Sequence, residues 1–195
     1  AVSPTFATDQ LVYVSFAEPT LRGNKAGTAV LRGRLQGDAL QGVEVIYRQQ
    51  PKLSHGTHVG SRLVFDDAGH LFITHGDNRV AAAAAQELDK LPGGARPEIW
   101  SYGHRNMQGA ALHPVTRQIW TTEHGPMGGD ELNIPQAGRN YGWPVITHGI
   151  DYSGKPVPGS TGKSAPGMEP PHHVWPVSPG LSGMAFYTGD LLPQW

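Results

Sequence analysis

This sequence predicts an all-β fold rich in turns, on three observations. Glycine (26) and proline (17) together exceed a fifth of the 195 residues, yet 38% are hydrophobic, a mixture that suits strands punctuated by turns rather than disorder. The apolar residues fall in short runs of strand length bounded by turn residues, and none of these sustains a helical period. Two of the runs share one plan: an apolar strand, a turn, and a second strand that carries a large residue and ends in Thr and His-Gly.

Taken in order, QLVYVSF (10–16), TAVLRGRL (28–35) and VEVIYRQ (43–49) each read as a strand. RLVFDDAGHLFITHGD (62–77) reads as a hairpin turning at Asp66-Asp67-Ala68-Gly69. GAALHPVTRQIWTTEHG (109–125) repeats it, turning at His113-Pro114-Val115-Thr116. Phe72 and Trp120, the large residues of the second strands, stand 48 positions apart, near the blade period of propeller repeats. AAAAAQELDK (81–90) is the only convincing helical stretch, and at about two and a half turns it reads as a loop helix. From 149 to 179 the sequence is rich in Pro, Gly, Ser and His with little periodicity. That predicts a long loop-rich excursion before a last strand at SGMAFYTG (182–189), all within one domain over 1–195.

Charge is nearly balanced, with 15 Lys+Arg against 16 Asp+Glu and no run of either sign, which makes nucleic acid and anionic membranes poor partners. The absence of cysteine excludes disulfides, thiolate metal sites and a thiol nucleophile. No stretch approaches the roughly 18 apolar residues of a membrane span, and the opening AVSPTFATDQ lacks the basic-then-apolar pattern of a signal peptide. A soluble chain is expected.

Three segments hold residues capable of chemistry. PKLSHGTHVGSRLVF (51–65) sets His55 and His58 in a Gly/Ser loop before a strand, where a histidine serves either as a base at neutral pH or as a structural hydrogen-bonding group. EIWSYGHRNMQG (98–109) sets His104, Arg105 and Asn106 together. The Arg fork and the Asn amide suit a flat polyanionic ligand, or equally an Arg salt bridge between strands. TEHGPMGGDELN (122–133) surrounds a Gly/Pro loop with Glu123, Asp130 and Glu131. It reads either as a solvated turn or as a hard-cation site built from carboxylates and inward carbonyls.

In combination these segments, with NIPQAGRNYGWP (133–144), resemble the soluble PQQ-dependent aldose sugar dehydrogenases of the glucose/sorbosone dehydrogenase family, nearly from end to end. The resemblance implies a six-bladed β-propeller that binds pyrroloquinoline quinone (PQQ) and calcium at the mouth of its channel, located in the periplasm or secreted. The activity it implies is oxidation of the anomeric hydroxyl of aldoses to lactones by hydride transfer to PQQ, with an electron acceptor of unspecified identity and a monomeric or homodimeric enzyme. It places His58 as the catalytic base and Arg105, Asn106 and Asp77 at the cofactor. It assigns the carbonyls of Gly125 and Pro126 to the calcium that also binds PQQ. Glu131 and the backbone carbonyl of Tyr141 go to a second, structural calcium.

The sequence departs from the family pattern at Met107, where proline is usual, and at His75, where a small or apolar residue is usual. Between Lys90 and Arg96 only LPGGA stands for a longer excursion with its own strand. The chain is expected to begin after the first blade and to stop before the last, so that four blades or fewer are represented. A non-catalytic calcium-stabilised propeller that binds carbohydrate or protein, and an incomplete fragment inactive without further blades, are the rival readings.

Overall fold

The computed structural model describes residues 1–54, 57–77 and 97–192. The helix expected over 81–90, the short LPGGA stretch and His55 lie outside these residues. One turn of helix, α1 (Phe6–Asp9), opens the chain, too short to leave a period in the sequence. Strands β1 (Leu11–Pro19), β2 (Ala26–Gln36) and β3 (Ala39–Arg48) follow as an antiparallel meander, with Leu11 opposite Arg34 and Ala29 opposite Arg48. Its buried centre is Thr28, Ala29 and Val30 on β2.

The two look-alike segments both form hairpins. Strand β4 (Leu63–Phe65) turns into β5 (Leu71–Ile73) around Asp66, whose Oδ1 accepts the N–H of Ala68 at 3.0 Å and of His70 at 2.8 Å. Gly69 closes this turn at φ +83°, a region that costs glycine little. After β6 (Ser101–Tyr102), strand β7 (Met107–Leu112) turns into β8 (Ile119–Glu123). There His113 Nδ1 accepts the N–H groups of Val115 at 3.1 Å and Thr116 at 3.0 Å. The Arg117 guanidinium of the second turn forks onto Asp67 of the first, with Nε 2.7 Å from Oδ2, so the hairpins lie side by side.

Strand β9 (Asp130–Asn133) adds to β8, and β10 (Arg139–Asn140) pairs in parallel with β6. Strand β11 (His173–Trp175) completes an antiparallel sheet in the order β11-β9-β8-β7. Four antiparallel strands in sequence order are the unit of a propeller blade. The Pro/Gly-rich stretch after Gly149 thus returns to the sheet at β11, with Val174 opposite Glu131. The strand expected at SGMAFYTG (182–189) does not form. A short apolar run makes a strand only where a neighbour pairs with its N–H and C=O groups. Among the described residues no strand pairs with this backbone, although Gly183 and Met184 lie close to Gly109 of β7; instead Arg62 Nη2 ties the Ser182 carbonyl at 3.0 Å. The architecture is all-β, part of a β-propeller, and the site forms where the ends of β5 and β8 meet the loop before β7.

Candidate functional site

His58 and Asp77, 19 residues apart, form a pair: Nδ1 donates to Oδ1 at 2.7 Å, with side chains only 11% and 6% exposed. The sequence between them makes this possible through Gly76, on which a Cβ would overlap the His58 carbonyl oxygen and come within 3.0 Å of the Arg105 carbonyl. His58 itself is held at φ +55°. A carboxylate that accepts a hydrogen bond from Nδ1–H leaves Nε2 with its lone pair, the tautomer a general base requires. The second oxygen of Asp77 accepts the indole N–H of Trp143 at 2.8 Å.

Asp77 is joined to the next loop through its backbone, its N–H donating to the Arg105 carbonyl at 2.8 Å, while Gly76 bridges Asn106. Arg105 is 5% exposed, donates from Nη1 to the His124 carbonyl at 2.9 Å, and lies with its guanidinium carbon 5.3 Å from the Trp143 ring centre. Among the described residues it has no carboxylate partner, and its Nε has no hydrogen-bond partner. Asn106 is equally buried, and its Oδ1 is also unpartnered. A buried cation and an unpaired amide are costly unless something completes them.

The three carboxylates around the Gly/Pro loop divide into two kinds. Glu123 and Asp130 are committed to holding backbone. Asp130, fully buried, accepts the Gly125 N–H at 3.0 Å, the Ser178 hydroxyl at 2.7 Å and the Leu181 N–H at 3.4 Å. Glu123 accepts the N–H of Arg105 at 2.7 Å and of Asn106 at 3.4 Å, together with His104 Nδ1 at 3.0 Å and Asn133 Nδ2 at 2.9 Å. Burial alone would raise the Glu123 pKa. The charge and hydrogen bond of His104, with the two backbone N–H groups, outweigh that and hold it below the ordinary value.

Glu131 is different. Among the described residues its only side-chain partner is Asn133 Nδ2 at 3.3 Å, and burial, with the charges of Glu123 and Asp130, pushes its pKa up to about 8. A carboxylate so placed would be stabilised by a cation. Gly125 packs so tightly that a Cβ there would overlap the carbonyl oxygens of Gly128 and Gly129. The carbonyls of Gly125 and Pro126 accept no hydrogen bond among the described residues, which leaves them available to a hard cation. Tyr141 belongs to the same cluster, its ring stacked on His104 at 4.7 Å and its N–H on the Tyr102 carbonyl at 2.8 Å. Among the described residues no three His, Cys, Asp or Glu side chains group as metal ligands, so a cation here would depend on backbone oxygens.

The structure therefore brings His58, Asp77, Arg105 and Asn106 into one site, with Glu131 on β9 and Tyr141, Gly125 and Pro126 in the loops beside it. Sequence reasoning missed Trp143, which in NYGWP looks like a turn residue, and the part played by Glu123. Of the two departures, Met107 is buried and opens β7 opposite Glu123. His75 is partly buried, 3.1 Å from the Tyr47 hydroxyl, and burial lowers its pKa to about 4.

Comparison with known proteins gives the family. The model of the family described as Glucose / Sorbosone dehydrogenase matches residues 1–95 and 92–195. The chain is 46% identical over 217 residues to aldose sugar dehydrogenase YliI of Escherichia coli (strain K12), covering all of this chain and 58% of that protein. It superposes on a crystal structure of a glucose dehydrogenase with TM-score 0.93 at 53% identity, covering 100% of this chain and 62% of the other. A shorter match, 41% identical over 61 residues (31% of this chain and 13% of the relative), links it to quinoprotein glucose dehydrogenase B of Acinetobacter calcoaceticus. The chain thus spans about three-fifths of the length of the first two. With the blade-like sheet and the His58–Asp77, Arg105–Asn106 constellation already in place, the family match over the whole chain leaves one assignment: this chain belongs to the glucose/sorbosone dehydrogenase family, as part of its six-bladed β-propeller.

Proposed function

We propose that the protein oxidises aldose sugars at the anomeric hydroxyl to lactones, as a PQQ- and calcium-dependent dehydrogenase. One observation carries the reading. A buried guanidinium and an amide oxygen, the first without a carboxylate partner and the second without a hydrogen bond among the described residues, lie beside an oriented histidine. PQQ is a flat group bearing carboxylates and quinone oxygens, and Arg105 and Asn106 have the donors and acceptors to hold it. When bound, PQQ supplies the hydride acceptor, and calcium polarises its oxygens.

The residues of this chain supply the rest. His58 Nε2 takes the proton of the anomeric hydroxyl as hydride leaves the carbon. Asp77 holds the ring at Nδ1 and stabilises the imidazolium that forms. Trp143 joins the two halves, fixing Asp77 through its N–H and supporting Arg105 on its face. The carbonyls of Gly125 and Pro126 would hold the calcium at the cofactor, and Glu131 with the Tyr141 carbonyl a second, structural calcium. The raised pKa of Glu131 supports that assignment, because a carboxylate pressed by two others gains most from a cation.

Aldose substrates are supported by the names of the relatives, aldose sugar dehydrogenase and glucose dehydrogenase, and PQQ by the name quinoprotein. A separate electron acceptor, a periplasmic or secreted location and a monomeric or homodimeric state belong to the same proposal, as does a single partial-propeller domain over 1–195. Among the described residues no helix is long and apolar enough to cross a membrane. Titration of the purified protein with PQQ in the presence of calcium tests the reading, alongside dye reduction with aldoses. Wild type should bind, and Arg105→Ala should bind at least about tenfold more weakly for want of a charge-assisted fork. Equal affinities, or no binding by wild type, would overturn the assignment.

A further inference from the structure

Arg105 and Asn106 lie in the loop between β6 and β7, where no strand can hold their N–H groups. The β7–β8 ladder reaches only to Met107, opposite Glu123, after a register shift at Gly109. Beyond that point a side chain replaces the missing strand. Glu123 Oε2 accepts both N–H groups, at 2.7 Å and 3.4 Å, from a residue 3% exposed. Its other oxygen is fixed by His104 and Asn133 at 3.0 Å and 2.9 Å. His104 is in turn held by the Ser101 hydroxyl at 3.0 Å and by the Tyr141 ring. Asn133 Nδ2 is shared with Glu131 at 3.3 Å.

We propose that Glu123 is a positioning residue for the cofactor: one buried carboxylate sets the backbone from which the Arg105 and Asn106 side chains project, and ties it through Asn133 to the strand carrying Glu131. This rests on reading Arg105 and Asn106 as cofactor contacts. The role is one of reach. Both Oε atoms must arrive where the N–H groups wait, and the site is closed to water that would stand in for them.

Reach and charge are separable by substitution. Glu123→Gln keeps the length and one acceptor for the two N–H groups. Its amide faces His104, which accepts at Nδ1 in its other tautomer, and Asn133, whose Oδ1 is unpartnered and can turn to accept. Glu123→Asp keeps the charge but draws the oxygens back by one methylene. The experiment is calorimetric PQQ titration of the purified protein with calcium, for wild type, both variants and Arg105→Ala, with amide hydrogen exchange of the peptide spanning 103–107.

Glu123→Asp should lose roughly tenfold or more in PQQ affinity and speed exchange in that peptide, whereas Glu123→Gln should stay within about threefold of wild type. An Asp variant at wild-type affinity while Arg105→Ala is weakened would overturn this inference and leave the cofactor assignment standing. An affinity lost in the Gln variant but kept in the Asp variant would overturn it too, since charge and not position would then be at work. Failure of wild type to bind PQQ would overturn the cofactor reading first and this inference with it.

Discussion

Trp143 Nε1 lies 2.8 Å from Asp77 Oδ2 across 66 residues of chain, and the same indole ring faces the Arg105 guanidinium at 5.3 Å. One side chain thus touches both the carboxylate that orients His58 and the buried Arg105 cation. Its two roles are separable. Trp143→Phe keeps a ring under Arg105 but removes the N–H, and it should lower turnover by about tenfold with PQQ affinity little changed, on the usual strength of a hydrogen bond to a charged group. Trp143→Ala should weaken both. Steady-state kinetics with aldoses and dye, together with PQQ titration, check the split.

His58→Gln should lower turnover by at least about a hundredfold, because hydride can leave the anomeric carbon only as the hydroxyl proton is taken up. PQQ and calcium binding should remain near wild type. His55→Gln should do much less. Turnover retained in the His58 variant would require another base.

Calcium should raise the melting temperature and chelation should lower it, since a cation that binds only the native state adds about 2.7 kcal/mol at a hundred times its Kd. Glu131→Ala should remove most of that gain. A melting curve unchanged by chelation and by the substitution would remove the structural calcium from the assignment.

His75 makes a pH prediction. Burial lowers its folded-state pKa to about 4 from the ordinary 6.5, so between those values the unfolded chain binds a proton that the folded protein does not. Stability is therefore full above pH 6.5 and falls as pH drops toward 4, by on the order of 3 kcal/mol from this group. His75→Leu, which also gives up the Tyr47 contact at 3.1 Å, should flatten this part of the curve of melting temperature against pH. An equally steep acid limb in the variant would assign the loss to other groups.

The hairpins were legible because their information is local: short apolar runs of strand length, and turns such as Asp66-Asp67-Ala68-Gly69 whose own side chain satisfies the backbone. SGMAFYTG was a run of the same kind and formed no strand, since a ladder depends on a neighbour that no local pattern specifies. The motif residues were likewise legible one by one. His58, Asp77, Arg105, Asn106 and Glu131 could each be named from the sequence.

By itself, then, the sequence determined the all-β class, the positions of the hairpin turns and the family, because these are written in residue type and spacing, and the family resemblance nominated the candidate site residues. Tertiary structure alone decided which groups touch. It turned Asp77 from a neighbour of the cofactor into the partner of His58. It committed Glu123 and Asp130 to backbone N–H groups, and it left Glu131 buried beside both of them with its pKa raised to about 8. The physical reason is that hydrogen bonding and burial act through distances of about 3 Å, and residues 18, 19 and 66 apart come within that distance only once the sheets have packed.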